Sequence, residues 1–368
     1  AANWYLEDGS VTVNADNSGQ TVTQGSGSAV PDAAPVITQR ESSVETGNTI
    51  TVNASENATA NVTISDVNIN TSDAAVSTGG KGNVNIELNG TNTLKSGEFQ
   101  AGLEKSKDGK LTITDENENG KLIATGGKGA AGIGGGSYGD GNDITITGGE
   151  ITATGGYCGA GIGGGDHGDG KNITIAGGKV TATGGNGAAG IGGGLYGDGN
   201  DITITGGKVT ATGGDYGAGI GGGNPGNGSN ITITDGEVTA AGGTNGAGIG
   251  GGLQKNGEKI TVSGDATLKV QGGPTDERDG VGAGIGNGGS HNGNFSGSFT
   301  PVNGAETEPD TSNLTTGKIE YYAPGADMTK DKPTSTILGS LAQPEPASPG
   351  ETAAPVEYRM QTSASEPV

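Results

Sequence analysis

The chain is dominated by short stretches in which apolar and polar residues alternate, bounded by Gly pairs. Ile144-Thr145-Ile146-Thr147 is one, Ile151-Thr152-Ala153-Thr154 the next, and Ala160-Gly161-Ile162-Gly163 a third. A period of two sends successive side chains to opposite faces, so each stretch predicts a strand with one buried face. Gly148-Gly149 and Gly155-Gly156 stand where the chain must turn, and Gly suits corners that need positive φ or close backbone approach.

The triplet recurs. Gly-Ala-Gly-Ile-Gly-Gly-Gly, or a close variant, centres on Ile133, Ile162, Ile191, Ile220 and Ile249, with 29 residues between successive copies. The next copy centres on Ile285, 36 residues on, so seven extra residues around Pro274 to Gly280 loop out. Ala101-Gly102-Leu103 is a degenerate copy 30 residues before Ile133. Three short strands per repeat predict one coil of an all-β, right-handed parallel β-helix, the hand following from the preferred crossover of parallel strands. Stacking should give interior ladders: Leu111, Ile144, Ile173, Ile202, Ile231 and Ile260; Ile113, Ile146, Ile175, Ile204, Ile233 and Val262; and Leu122, Ile151, Val180, Val209 and Val238.

The pattern divides the chain into four. Residues 1–100 read as an N-terminal cap and irregular coils, with strands at Thr49–Val52, Val62–Ser65, Val67–Ile69 and Val84–Leu88. Residues 101–290 are the regular coils. Residues 291–342, with Phe295, Phe299 and Ile319-Glu320-Tyr321-Tyr322, read as a C-terminal β cap that blocks edge pairing. Residues 343–368, with Pro344, Pro346, Pro349 and Pro355 among Glu, Ala and Ser, read as a disordered tail or linker.

Composition fits this reading. With 80 Gly, 29% hydrophobic residues and 3% aromatics, the 368 residues hold too little apolar bulk for a conventional core. A solenoid needs only one thin interior column, because each coil buries its neighbour's face. The excess of 41 acidic over 19 basic residues argues against nucleic acid and anionic membranes as partners. No apolar stretch approaches the ~20 residues of a membrane span, so no membrane insertion is expected. Cations, basic protein patches or neutral ligands such as sugars are the expected partners. The single cysteine, Cys158, excludes an internal disulfide. The start, Ala1-Ala2-Asn3-Trp4, reads as a mature terminus after signal-peptide removal or as an artificial boundary. The expected location is extracellular, either secreted or attached to a cell wall.

Three features carry candidate chemistry. Outward Thr-x-Thr rows, including Thr145/Thr147 and Thr203/Thr205, resemble the flat faces of ice-binding solenoids, although Thr is also simply a soluble strand residue. Two Thr faces meeting at a corner with Glu150, Lys179, Lys208 and Glu237 weaken the ice reading. The corner Gly-Asp-Gly-Asn-Asp should stack Asp140, Asp169 and Asp198, with Asp143 and Asp201 beside them, into an oxygen-rich column suited to Ca²⁺. The competing account is an Asp-Gly turn that caps its own backbone. Third, each coil has two variable dipeptides in constant corners. They place Tyr138, Tyr157, Tyr196, Tyr216 and His167 at tips, as ledges for stacking on sugar rings or as plain turn decoration. No enzymatic activity is expected, because the corners are short and uniform and the only arginines are Arg40, Arg278 and Arg359. The Pro274–Gly280 insertion is the one place suited to a lyase-like exception.

The Gly-Ala-Gly-Ile-Gly-Gly-Gly motif, followed by Gly-Asp-Gly-Asn-Asp-Ile-Thr-Ile-Thr-Gly-Gly-Lys-Val-Thr-Ala-Thr-Gly-Gly, resembles repeats in large surface proteins of Gram-positive bacteria. The resemblance spans about residues 80–290. It implies a β-helical adhesin or carbohydrate-binding-type module engaging glycans or host surface proteins, often on the cell wall. It carries over no catalytic residues. An ice-binding solenoid, a polysaccharide lyase-like enzyme and an inert spacer stalk are the alternatives.

Overall fold

Alternating Ile and Thr build the walls of each coil. In the repeat from Gly141, strand Gly141–Ile146 lies in a first sheet, Glu150–Thr154 in a second and Ile162–Gly163 in a third. Ile144, Ile146, Ile151, Ala153 and Ile162 point inward and are fully buried. The third strand is shorter than the alternation suggested: only Ile162 and Gly163 pair, while Ala160 and Gly161 belong to the corner.

The computed structural model describes residues 2–106, 108–293 and 299–343, with the backbone of Glu357–Arg359. It is a parallel β-solenoid of about 9 turns. Register is preserved from coil to coil. Ile144 pairs with Ile173, Ile173 with Ile202, Ile202 with Ile231, and Ile231 with Ile260. The second and third sheets keep the same step, Ile151 opposite Val180 and Ile162 opposite Ile191. All three expected ladders are therefore present. Identical residues stack because burial of an Ile side chain, worth about 1.5–3 kcal/mol, is lost if the register slips by one residue.

Parallel pairing extends beyond the regular repeats at both ends. Asn3–Tyr5 pairs in parallel with Val36–Thr38, and an antiparallel hairpin, Val11–Asp16 with Gly19–Gln24, covers the first coils. At the other end Lys318–Tyr322 pairs in parallel with Thr267–Gln271, so part of the expected C-terminal cap is one more strand of the helix. Ser335–Leu338 then pairs antiparallel to it and ends the regular direction. Phe295 and most of the Pro-rich segment lie outside the described residues; Glu357–Arg359 runs parallel to Ser335–Leu338. No helix among the described residues is long and apolar enough to cross a membrane.

Gly at the outward position of the third strand is dictated by backbone geometry. Gly192 has φ +136°, and a Cβ there would lie 2.0 Å from the carbonyl oxygen of Gly221 in the next coil. That conformation is essentially reserved for Gly. In the degenerate coil Glu104 takes this position, pairing opposite Gly134. Burial pushes its carboxyl above the ordinary range, opposed by the Ala101 amide it accepts.

Candidate functional site

The two variable dipeptides of each coil flank the short third strand, and both are joined from coil to coil by main-chain bonds. In one column the amide of Tyr138 donates to Asp166 O at 2.8 Å, that of His167 to Leu195 O at 2.7 Å, and that of Tyr196 to Asn224 O at 3.0 Å. In the other, Phe99 N donates to Lys128 O at 2.9 Å and Gly129 N to Tyr157 O at 2.6 Å. Cross-links join the columns over the third sheet: Ser137 N to Phe99 O, Asp166 N to Gly129 O, and Leu195 N to Cys158 O. The second residue of each tip is left-handed, with φ 61° at Tyr138, 60° at His167, 64° at Tyr196 and 69° at Tyr216. Non-Gly residues rarely adopt this conformation, and here it recurs from coil to coil, interrupted in the first column only at Pro225.

The aromatic side chains at these tips project outward, whereas Cys158 and Asn245 of the same corners are buried. Tyr138 is 74% exposed, Tyr157 59%, Tyr196 56% and Phe99 54%, so half of the exposed large hydrophobic residues among the described residues share one face. The rings of Tyr138 and His167 stack at 5.1 Å between centroids, and those of His167 and Tyr196 at 4.6 Å. Asp166 Oδ1 lies 2.8 Å from His167 Nδ1 and orients the ring. Pro225 and Gln254 continue the column without an aromatic ring. On the opposite rim the first tip residues run Lys128, Tyr157, Asn186, Asp215 and Thr244, and Thr244 Oγ1 donates to Asp215 Oδ1 at 3.1 Å. Thus the structure brings Tyr138, Tyr157, His167 and Tyr196 to one face; Tyr216 shares it but is half-buried. Phe99 was missed from sequence because its coil lacks the full motif.

The Asp column serves the backbone. Asp140 Oδ1 accepts the amide of Asp169 at 2.9 Å, Asp169 that of Asp198 at 2.8 Å, and Asp198 that of Asn227 at 2.7 Å. Partial burial between coils raises the Asp169 carboxyl above its usual range, and the flanking charges of Asp198 and Asp140 add to this. Asp143 and Asp201 form a separate ladder, each accepting a side-chain amide of the next coil, from Asn172 and Asn230. Among the described residues no group of three or more His, Cys, Asp or Glu is placed to hold a metal ion. Thr145 and Thr203 occupy one register column with Thr174, Thr232 and Thr261. Thr147 and Thr205 are exposed at its edge, where Ala176 interrupts the row.

A family model described as a beta helix repeat matches residues 118–137, 144–166, 173–195, 202–224 and 231–253. These stretches are β-helix repeats, in keeping with the solenoid fold. The matched stretches of the β-helix repeat stop one residue short of Tyr138, His167, Tyr196, Pro225 and Gln254, so the aromatic column stands just outside them. No curated protein and no solved structure matched the chain.

Proposed function

We propose that the protein is an extracellular, non-enzymatic binding module whose tip face engages glycans or proteins bearing them. The observation that carries this reading is the concentration of exposed rings on one face of a chain with 3% aromatics. Exposed aromatic clusters of this kind mark recognition surfaces, since a ring offers an apolar face to a sugar and a polar edge to its hydroxyls. In the ladder, Tyr138, His167 and Tyr196 turn ring faces towards one another, so a sugar meets their edges and the outer faces at its ends. Tyr157, on the other rim between Lys128 and Asn186, supplies a stacking ring with hydrogen-bonding neighbours. The net charge of −22 favours neutral or cationic ligands over polyanions.

A glycan array probed with the purified protein, and with the Tyr157→Ala/Tyr138→Ala double variant, tests the reading. Binding by the wild type that the variant loses supports it. A blank array together with a blank pull-down from cell-surface extracts would count against it.

A further inference from the structure

The tip face ends at the insertion, and there the side chains are organised around one imidazole. His291 Nδ1 lies 2.5 Å from Asp279 Oδ1, and these side chains are only 12% and 5% exposed. On its other side His291 Nε2 lies 3.3 Å from Arg278 Nη2. The Phe299 ring meets the imidazole edge-on at 4.7 Å, and the Arg278 guanidinium lies 4.2 Å over that same ring. Gln254 from the preceding coil donates to Asp279 Oδ1 at 3.3 Å, and the fully buried Asn245 donates to the carbonyls of Asp279 and Gly280. Asp276 accepts the amides of Arg278 and Asp279, closing the loop on itself.

These contacts fix where the imidazole proton sits. A guanidinium only donates, so Nε2 facing Arg278 must be the bare, accepting nitrogen. The Gln254 amide nitrogen, itself a donor, lies 3.2 Å from Nδ1. The shorter contact, however, is with the Asp279 carboxylate, which only accepts, and this places the proton on Nδ1. We infer that His291 is a proton-operated latch: neutral, it holds Arg278 on the end of the tip face; protonated, it releases the guanidinium. A proton added at Nε2 removes the acceptor that Arg278 uses and sets two cations against each other. The Asp279 contact survives, because both forms of the ring donate from Nδ1. The charged groups facing the ring are Asp279 and Arg278 from the insertion, with Asp276 behind them. Gln254 and Asn245 from the neighbouring coil are neutral. Acid supplies that proton, so the latch opens in the acidic direction. Opening leaves the guanidinium over the Phe299 ring but makes the donor that His291 had engaged available to an outside acceptor. The inference is independent of the glycan reading, and either can fail alone.

The chain has two histidines, so His167→Asn leaves a single ring to follow by nitrogen-edited NMR. At pH 8 the His291 ring should be in the Nδ1–H form, and it should remain so in Arg278→Ala, because the Asp279 carboxylate still accepts from Nδ1. Hydrogen exchange at the Arg278, Asp279 and Gly280 amides, corrected for intrinsic rates, should accelerate about tenfold from pH 8 to pH 5, as expected for losing one charge-assisted hydrogen bond. His291→Gln should abolish that acceleration, and Arg278→Ala should show the fast rate already at pH 8. An Nε2–H ring at pH 8, or the same pH-dependent exchange in His291→Gln, would overturn the latch.

Discussion

Replacing Gly192 by Ala should be among the most damaging single changes this chain can suffer, and the cost can be separated into parts. Its φ of +136° lies in a region where an L side chain is strained, at a cost of about 1–3 kcal/mol. The added Cβ would also sit 2.0 Å from Gly221 O, which accepts the Gly193 amide at 2.9 Å. Relieving that overlap displaces backbone in a packed rung, costing roughly another 1–3 kcal/mol, and weakens a buried hydrogen bond. A total of about 3–6 kcal/mol follows. Two further substitutions serve as controls. Gly19 has φ +138°, and a Cβ added there would meet nothing within 4 Å, so Gly19→Ala carries strain alone, about 1–3 kcal/mol. Gly47 has an ordinary φ, and the nearest neighbour of a Cβ there would lie at 4.0 Å, so Gly47→Ala should be neutral or stabilising by up to about 1 kcal/mol. Urea unfolding followed by far-ultraviolet circular dichroism gives the order directly. If Gly192→Ala costs no more than Gly19→Ala, the close approach of successive rungs is not what demands Gly there.

Other outcomes follow from the ladders. Because Asp169 titrates above the usual carboxylate range in the folded protein, its ionised form costs stability as pH rises through that value, and the cost is absent in acid. Asp169→Asn should therefore stabilise at pH 7 by roughly 0.5–1 kcal/mol after allowance for solvent screening, with the gain vanishing near pH 3. Asn227 already accepts the Asn256 amide in the same column at 3.1 Å, so the ladder tolerates the exchange; a loss of stability at pH 7 would contradict the repulsion argument. Ile202→Ala should cost about 2–5 kcal/mol by opening a cavity in a fully buried ladder, measured by the same unfolding assay. Tyr157→Ala should leave the thermal midpoint within about 1 °C of wild type, since the ring is 59% exposed. It should weaken any measured glycan affinity about two- to tenfold, the worth of one aromatic contact.

Much of the architecture was legible because register in a solenoid is written twice, in period-two alternation and in the 29-residue repeat. The stacking of Ile144, Ile173 and Ile202 follows from those two periods alone, and the three residues do stack. Where the repeat decays, so does legibility. Lys318–Tyr322 looked like a cap because no Gly-rich corner announces it, although it completes the second sheet. The tips were visible as variable dipeptides, and the shared face was not. That depends on the two corners bonding to each other across a third strand only two residues long. The His291 cluster was beyond reach for a similar reason, since Gln254, Asp279 and His291 are joined by an insertion that carries no periodic signal.

The left-handed tips have one more consequence. At Tyr138, His167 and Tyr196 the bonds between rungs are made by main-chain atoms, so the identity of the side chain there is uncoupled from the register of the rungs. Tyr, His, Gln and Asn all occupy that backbone conformation in this chain. The face therefore behaves as a typesetter's frame: the letters can be exchanged one at a time while the frame stays locked. Randomising Tyr138, His167 and Tyr196 together should give a library whose members share one fold and differ in what they bind.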